Sequence, residues 1–136
     1  MSLEGQPVSI QAAPNISPIP VGKIPDGATQ ILETDSATDQ TTLIYTVNAD
    51  KTLYLTSFQV FLANTSGLSA SLHLGVRDDD DVLWAYIARN YSANDFVFGY
   101  TGNFMPPLEV PGDYDIYAYS SRALASIMAV IHGYEM

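Results

Sequence analysis

Cysteine is absent from the sequence. Its absence excludes disulfide bonds, thiolate metal sites and cysteine nucleophiles, and it leaves the redox compartment open. No apolar run approaches the roughly 18 residues that a membrane-spanning helix requires. The N-terminus also lacks the basic segment followed by an apolar stretch that marks a secretory signal. We therefore expect neither a membrane span nor a secretory signal.

Basic residues are scarce: the chain has 5 Lys and Arg against 15 Asp and Glu, which gives a formal net charge of −10. The basic residues are scattered along the chain: Lys23, Lys51, Arg77, Arg89 and Arg122. Binding of nucleic acid requires a basic face that neutralises phosphates, and this chain would repel them. An anionic membrane surface is disfavoured for the same reason. We expect neither nucleic acid nor membrane as a partner.

The sequence has no motif of a known catalytic site. It contains no Gly-x-Ser-x-Gly elbow of a serine hydrolase and no glycine-rich phosphate-binding loop. The two histidines, His73 and His132, lie within predicted strands at no spacing that is typical of a zinc site. We therefore expect a protein that is not an enzyme and that binds no cofactor.

The run Asp78–Asp81 is the one place where the sequence concentrates carboxylates. Calcium prefers such oxygen ligands, but the run lacks the alternating ligands and the central glycine of a calcium loop. We favour a solvated hairpin turn over a metal site, and we expect no bound metal.

Residues 1–28 contain five of the eight prolines. Proline lacks an amide donor and restricts the backbone, so this segment can be neither a helix nor a central strand. Apolar residues are interspersed with the prolines, which predicts an extended arm lying on a surface, with a flexible linker as the alternative. We divide the chain into this arm and a domain over residues 29–136.

The stretch from Thr41 to Leu62 is the clearest structural signal in the domain. Both halves are rich in Thr, Tyr, Val, Leu and Ile, which favour strands, and the turn-forming residues 48–51 lie between them. We predict two strands joined as a hairpin. Further segments with period-two alternation follow, including Leu68–Val76, and none reads as an amphipathic helix. The chain is predicted to be an all-β, antiparallel two-sheet sandwich of eight or nine strands.

Two of the predicted strands are apolar on both faces. Leu53 and Leu55 alternate with Tyr54, and the alternation then places Phe58 and Val60 on the face of Tyr54. The last strand likewise places Met128 and Val130 opposite its alanines and isoleucines. A strand of a monomeric sandwich normally has one polar face. We predict self-association through Phe58, Val60, Met128 and Val130.

Residues 84–104 hold seven of the fifteen aromatic residues, interspersed with asparagines. Flat rings and amide groups together are typical of a sugar-binding surface. We interpret Trp84, Phe96 and Phe98 as core residues. Tyr91, Asn94 and Phe104, in or beside predicted loops, are our candidate ligand-binding residues.

Two turns resemble motifs of phage and prophage structural proteins. Residues 45–52, Tyr-Thr-Val-Asn-Ala-Asp-Lys-Thr, resemble their Tyr-Thr-Val-Pro-Ala-Gly-Lys-Thr turn, with Asn48 and Asp50 in place of proline and glycine. Residues 107–113, Pro-Leu-Glu-Val-Pro-Gly-Asp, resemble their second motif, and residues 125–134 are similar to their last strand. The resemblance covers residues 41–134. It implies a jelly-roll-like sandwich, often trimeric, on the surface of a virus particle or its tail, and it implies no catalytic residues.

Two function hypotheses follow. The first is a structural or receptor-recognising component of a phage-like particle, with other virion proteins or a host surface glycan as further partners. The second is a carbohydrate-binding, lectin-like module. The apolar arm and the two-faced strands favour the first hypothesis.

Overall fold

The computed structural model describes residues 24–92 and 95–136, and it contains eight strands and no helix within them. Most of the predicted arm therefore lies outside the described residues. The strands are β1 (Thr29–Thr38), β2 (Thr41–Thr46), β3 (Leu53–Asn64), β4 (Ala70–Arg77), β5 (Leu83–Ser92), β6 (Phe96–Val110), β7 (Asp115–Ser120) and β8 (Ala125–Glu135). The all-β prediction is confirmed.

The strands form two antiparallel four-stranded sheets that pack face to face. The first sheet has the order β1-β8-β3-β6 and the second the order β2-β7-β4-β5. The first strand pairs with the last, and the pairing continues inward along the chain: β1 with β8, β2 with β7, β3 with β6 and β4 with β5. Two sheets of four strands connected in this way form a jelly roll. The predicted two-sheet sandwich of jelly-roll type is confirmed.

The core lies between the sheets and is built by period-two alternation. In β4, the residues Ala70, Leu72, Leu74 and Val76 are fully buried, as the sequence pattern predicted, whereas Leu68 precedes the strand and is exposed. β3 and β8 contribute the facing layer, whose largest fully buried apolar side chains are Leu53, Leu55, Leu62, Ile127 and Ile131. Burial of each such side chain contributes roughly 1.5–3 kcal/mol to folding.

The stretch from Thr41 to Leu62 is not a hairpin, and that prediction is wrong. β2 pairs with β7 in the second sheet, whereas β3 pairs with β8 and β6 in the first. The intervening turn therefore connects the two sheets. A polar turn between two apolar strands has the same local sequence in a hairpin and in a connection between two sheets. The two differ only in the partner strands, which are distant in the chain.

A β-bulge in β3 reverses the predicted faces of Phe58 and Val60. The register of β3 against both neighbours shifts between Leu55 and Ser57. The extra residue puts Phe58 and Val60 on the same side as Leu55, where they are 7% and 4% exposed. The prediction that they share a face with Tyr54 is wrong, because strict alternation fails wherever a strand carries one extra residue.

β6 continues through the segment Thr101–Pro107, although this segment ends in two adjacent prolines. Leu55 lies opposite Leu108, and Ser57 lies opposite Asn103, so residues 104–107 bulge out opposite a single residue of β3. β6 is an edge strand, and an edge strand tolerates proline because one side of its backbone needs no partner.

Candidate functional site

Most of the outer face of the first sheet carries apolar and neutral polar side chains, and Glu109, opposite Tyr54 at one end of this face, is acidic. We call the part on the other side of the β3 bulge the uncharged face, and it consists of Leu32, Thr34 and Ser36 on β1, Met128, Val130 and His132 on β8, Gln59, Phe61 and Ala63 on β3, and Val97, Gly99 and Thr101 on β6. Four of its large apolar side chains are about half exposed: Leu32 (56%), Phe61 (49%), Val97 (61%) and Met128 (51%). None of the twelve residues is Asp, Glu, Lys or Arg.

A shallow depression of about 380 Å³ lies in the middle of the uncharged face. Its rim includes Phe61, Thr101, Met128 and Val130. Gly99 forms part of its lining, and a Cβ atom at that position would lie 3.0 Å from the carbonyl oxygen of Val60. The absence of a side chain at residue 99 thus leaves room for the ring of Phe61, whose Cδ2 atom would lie 3.3 Å from that Cβ atom.

The structure separates the four residues that we predicted to form an oligomer interface. Met128 and Val130 lie on the uncharged face, together with Phe61, which the sequence analysis did not select. Phe58 and Val60 belong to the core of a single chain and present no exposed face. Phe61 lies opposite Met128 across β3 and β8. The sequence alone does not predict this pairing, because it depends on the bulge in β3.

The outer face of the second sheet has a different composition. We call it the tyrosine–arginine face, and it consists of His73 and Arg77 on β4, Tyr86, Arg89 and Tyr91 on β5, and Tyr117 and Tyr119 on β7. Along each strand, successive residues point alternately to the core and to this face. Across the strands, His73 lies between Tyr119 and Arg89, and Gly75 lies between Tyr117 and Tyr86. The register of three neighbouring strands therefore brings seven aromatic or basic side chains to one surface.

His73 lies at the centre of this face and is only 9% exposed. Its ring contacts those of Tyr86, Tyr117 and Tyr119 at centroid distances of 4.9, 5.3 and 5.0 Å. Its Nε2 forms a 3.0 Å hydrogen bond with the Tyr117 hydroxyl, whereas its buried Nδ1 has no partner among the described residues. Burial, with a smaller contribution from the charge of Arg89, lowers the pKa of His73 to about 4. The ring is therefore neutral at pH 7.

Both arginines of the face lie against tyrosine rings. The guanidinium of Arg89 lies 4.5 Å from the ring centroid of Tyr86, and that of Arg77 lies 5.3 Å from that of Tyr117. Arg77 is also paired with Asp115, at 3.1 Å between Nε and Oδ2. Burial raises the pKa of the Tyr117 hydroxyl, with a further contribution from Tyr86. Such stacking holds a guanidinium in one orientation and leaves its edge free to bind.

The predicted ligand residues do not form one site. Tyr91 is 67% exposed on β5 and belongs to the tyrosine–arginine face. Phe104 lies on β6 in the other sheet, with its ring 5.8 Å from that of Phe58, and it packs against the core. Asn94 lies outside the described residues.

The core interpretation of the other aromatic residues is right only in part. Phe96 is partly buried against the core, whereas Trp84 and Phe98 are 44% and 37% exposed. Tyr86, Tyr117 and Tyr119 were not predicted from the sequence to belong to one cluster. Their alternation along β5 and β7 was visible, but the order of strands in the sheet was not.

The acidic run forms a turn that is closed by its own first residue. Asp78 Oδ1 accepts hydrogen bonds from the backbone N–H groups of Asp80 (2.9 Å) and Val82 (3.0 Å). The carboxylates of Asp79 and Asp80 lie close to that of Asp78 but are exposed to solvent. The geometry confirms that residues 78–81 form a turn.

No protein-family model, curated protein or solved structure matches this chain. Within residues 24–92 and 95–136 there is also no helix of the length and apolarity that a membrane crossing requires.

Proposed function

We propose that this protein is a non-enzymatic structural or receptor-recognising component of a phage-like particle, located on the virion or tail surface, and that it assembles as a homo-oligomer. The observation that carries the proposal is the uncharged face. Fifteen acidic residues are distributed along the chain, yet none is among the twelve residues of this face. The centres of protein interfaces are likewise depleted of charge and enriched in aromatic residues and methionine.

Charge repulsion between copies of the chain favours contact through the uncharged face. Two chains of net charge −10 repel each other, and the repulsion is weakest where the contacting surfaces themselves carry no charge. At physiological ionic strength, charges farther apart than about 8 Å are largely screened. Association through Phe61, Met128 and Val130 would therefore meet little opposition from the rest of the chain.

The fold agrees with this proposal but does not decide it. Jelly rolls occur both in viral capsid proteins and in lectins, and one fold hosts many functions. The placement on a phage-like particle, with other virion proteins as partners, and the preference for a trimer rest on the resemblance of the two turns. Rotational symmetry would let each of three copies bury the same face without leaving it exposed elsewhere.

Light scattering at micromolar concentration tests the proposal. We expect the parent protein to be oligomeric and Phe61→Lys to be monomeric, because a buried ammonium group at the interface is costly. Leu43→Lys is the matched control, since Leu43 is 47% exposed on the second sheet and Phe61 is 49% exposed on the first. Both variants reduce the net negative charge equally, so a difference between them reports the surface itself. A monomeric parent, or an oligomeric F61K variant, would contradict the proposal.

A second candidate function is carbohydrate binding, and the exposed rings of the tyrosine–arginine face favour it. Tyr86 and Tyr91 are 43% and 67% exposed beside the Arg89 guanidinium. A glycan array separates this function from the first: tight binding of a sugar by a monomeric protein would favour a lectin-like module. An oligomer that binds a host glycan would combine both.

A further inference from the structure

The two faces of the sandwich point in opposite directions, and this has a consequence for any assembly. If the uncharged face is buried between copies, the outer face of the second sheet remains turned away from the contact. The tyrosine–arginine face is then the surface that the assembly presents to its surroundings. It also holds two of the four basic residues that the structure describes, Arg77 and Arg89, in a chain of net charge −10.

The two arginines are not equivalent. Arg77 is paired with Asp115 at 3.1 Å and with Asp81 at 3.3 Å, so its charge is already compensated. Among the described residues, no carboxylate lies within 4 Å of a side-chain nitrogen of Arg89. Arg89 is exposed, and its guanidinium lies over the ring of Tyr86. It is the arginine of this face that is available for an external anion.

The surroundings of Arg89 suit a sugar ring. Tyr91 follows Arg89 by two residues, so both side chains leave β5 on the same face, about 7 Å apart along the strand. Tyr86 lies on the other side of Arg89. Exposed tyrosine rings offer flat apolar surfaces for the C–H groups of a pyranose and hydroxyl groups for its polar edge. Arginine, with its planar fork of N–H donors, matches a carboxylate in bidentate geometry.

The acidic turn lies at the opposite end of the same face. Asp78 follows His73 by five residues, and His73 lies directly opposite Arg89. The rise of an extended strand places the turn roughly 17 Å from the paired residues His73 and Arg89. That distance exceeds the Debye length of about 8 Å at physiological salt, so the turn repels an anion at Arg89 only weakly.

We propose that the tyrosine–arginine face binds a pyranose that carries a carboxylate group, with Arg89 binding the carboxylate and the rings of Tyr86 and Tyr91 flanking the sugar. This inference rests on the receptor-recognising role proposed above and names the chemical class of the receptor. It differs from the predicted ligand set in using Tyr91 without Phe104, which lies on the other sheet.

Glucuronate and glucose form the decisive pair of probes, because they differ only in the carboxylate at C6. Titration of ¹⁵N-labelled protein with each sugar, followed by NMR, reports both the affinity and the residues affected. We expect glucuronate to shift amides of β4 and β5 around His73 and Arg89, and glucose to bind at least about tenfold more weakly, as the loss of a charged hydrogen bond predicts.

Two substitutions test the assignment of Arg89. Arg89→Gln removes the guanidinium from an exposed position, and we expect at least about a tenfold loss for glucuronate with little change for glucose. Lys51→Gln is the matched control, because it changes the net charge equally in the turn between β2 and β3. Equal affinity for both sugars, unchanged binding by R89Q, or shifts confined to other strands would each overturn the inference.

The same titration on Phe61→Lys separates this inference from the proposed function. If F61K is monomeric and still binds glucuronate, both proposals stand. If the parent protein is monomeric but binds glucuronate through Arg89, the proposed assembly fails and the sugar site remains. If the parent protein is oligomeric and glucuronate causes no shifts, the sugar site fails alone.

Discussion

The side-chain amide of Asn48 donates a 2.6 Å hydrogen bond to the carboxyl group of Glu135, which is 1% exposed at the end of the last strand. The backbone N–H of Asn48 donates a second bond, at 3.1 Å, and the Tyr45 hydroxyl donates a third, at 2.6 Å. Burial and this contact raise the pKa of the Tyr45 hydroxyl. The turn between the two sheets is thus fixed to the first sheet. The motif that this turn resembles has proline at this position, but proline could supply neither of the two Asn48 bonds.

Asn48→Ala should lower the free energy of unfolding by about 1–3 kcal/mol, because it removes a donor from a buried carboxyl group. Urea denaturation at a fixed protein concentration measures the change, since self-association would make stability depend on concentration. Asp50→Ala in the same turn is the control and should stay within about 0.5 kcal/mol of the parent. An N48A variant as stable as D50A would mean that Glu135 needs no amide donor.

The stability of the fold should fall as the pH is lowered from 7 to 5, and His73 should contribute to the fall. Burial lowers the pKa of His73 to about 4 in the folded protein, from 6.5 in the unfolded chain. Between these values the unfolded chain binds the proton more readily, so acid favours unfolding. The contribution is complete above pH 6.5 and is lost as the pH falls toward 4. Thermal melts at several pH values measure it.

A substitution at His73 isolates this contribution from that of the carboxyl groups, which titrate mainly below pH 5. His73→Gln should lose part of the dependence between pH 7 and 5, although the variant is less stable overall. His132→Gln, on the uncharged face, should retain the contribution of His73. If H73Q melts with the same pH dependence as the parent, the aromatic contacts with Tyr86, Tyr117 and Tyr119 do not exclude the proton.

Local patterns in the sequence were sufficient for the fold class and for most strands. Alternation in β4 predicted its core face, and polar residues marked the turns at 48–51 and 78–81. These signals are local, because a side chain's preference for a strand or turn depends on its own backbone and near neighbours. The same reasoning failed for the stretch from Thr41 to Leu62, where the identity of the partner strands decides between a hairpin and an inter-sheet connection.

The two candidate surfaces depended on information that local patterns do not contain. One extra residue in β3 moved Phe58 and Val60 into the core and placed Phe61 beside Met128. The tyrosine–arginine face joins residues 73, 89 and 119, which come together only through the order of strands in the second sheet. Sequence alternation gives the parity of a residue within one strand, but register and strand order decide which residues are neighbours.

The exposed carboxylates of the acidic turn should be dispensable for stability. Asp79→Asn combined with Asp80→Asn should change the free energy of unfolding by no more than about 0.5 kcal/mol, as is usual for surface substitutions. Asp78→Ala should cost about 1–2 kcal/mol, because Asp78 accepts the N–H groups of Asp80 and Val82 that close the turn. Melting curves with and without calcium check this prediction. A rise in melting temperature with calcium in the parent, absent from the double variant, would contradict the solvated turn.

The Pro-Gly turn packs directly against the Asn48 turn, so the two motifs that carry the resemblance meet in space. A Cβ atom on Gly112 would lie 2.4 Å from the carbonyl oxygen of Ala49 and 2.8 Å from that of Asn48. Backbone hydrogen bonds join the same segments: Val47 N–H donates to Tyr114, and Asp113 N–H donates to Val47, each at 2.9 Å. A side chain at residue 112 therefore cannot be accommodated unless one turn moves.

Gly112→Ala should destabilise the protein by about 2–3 kcal/mol, as overpacking against backbone atoms does. Gly67→Ala is the control: Gly67 has a positive φ of 75° but open space around its Cβ position, so only the backbone cost of about 1–2 kcal/mol applies. Because G112A displaces the turn that Asn48 fixes, its effect should not add to that of N48A. A double-mutant cycle measured by urea denaturation should give a coupling of at least about 0.5 kcal/mol. Additive effects would mean that the two turns are stabilised independently and that their contact is incidental.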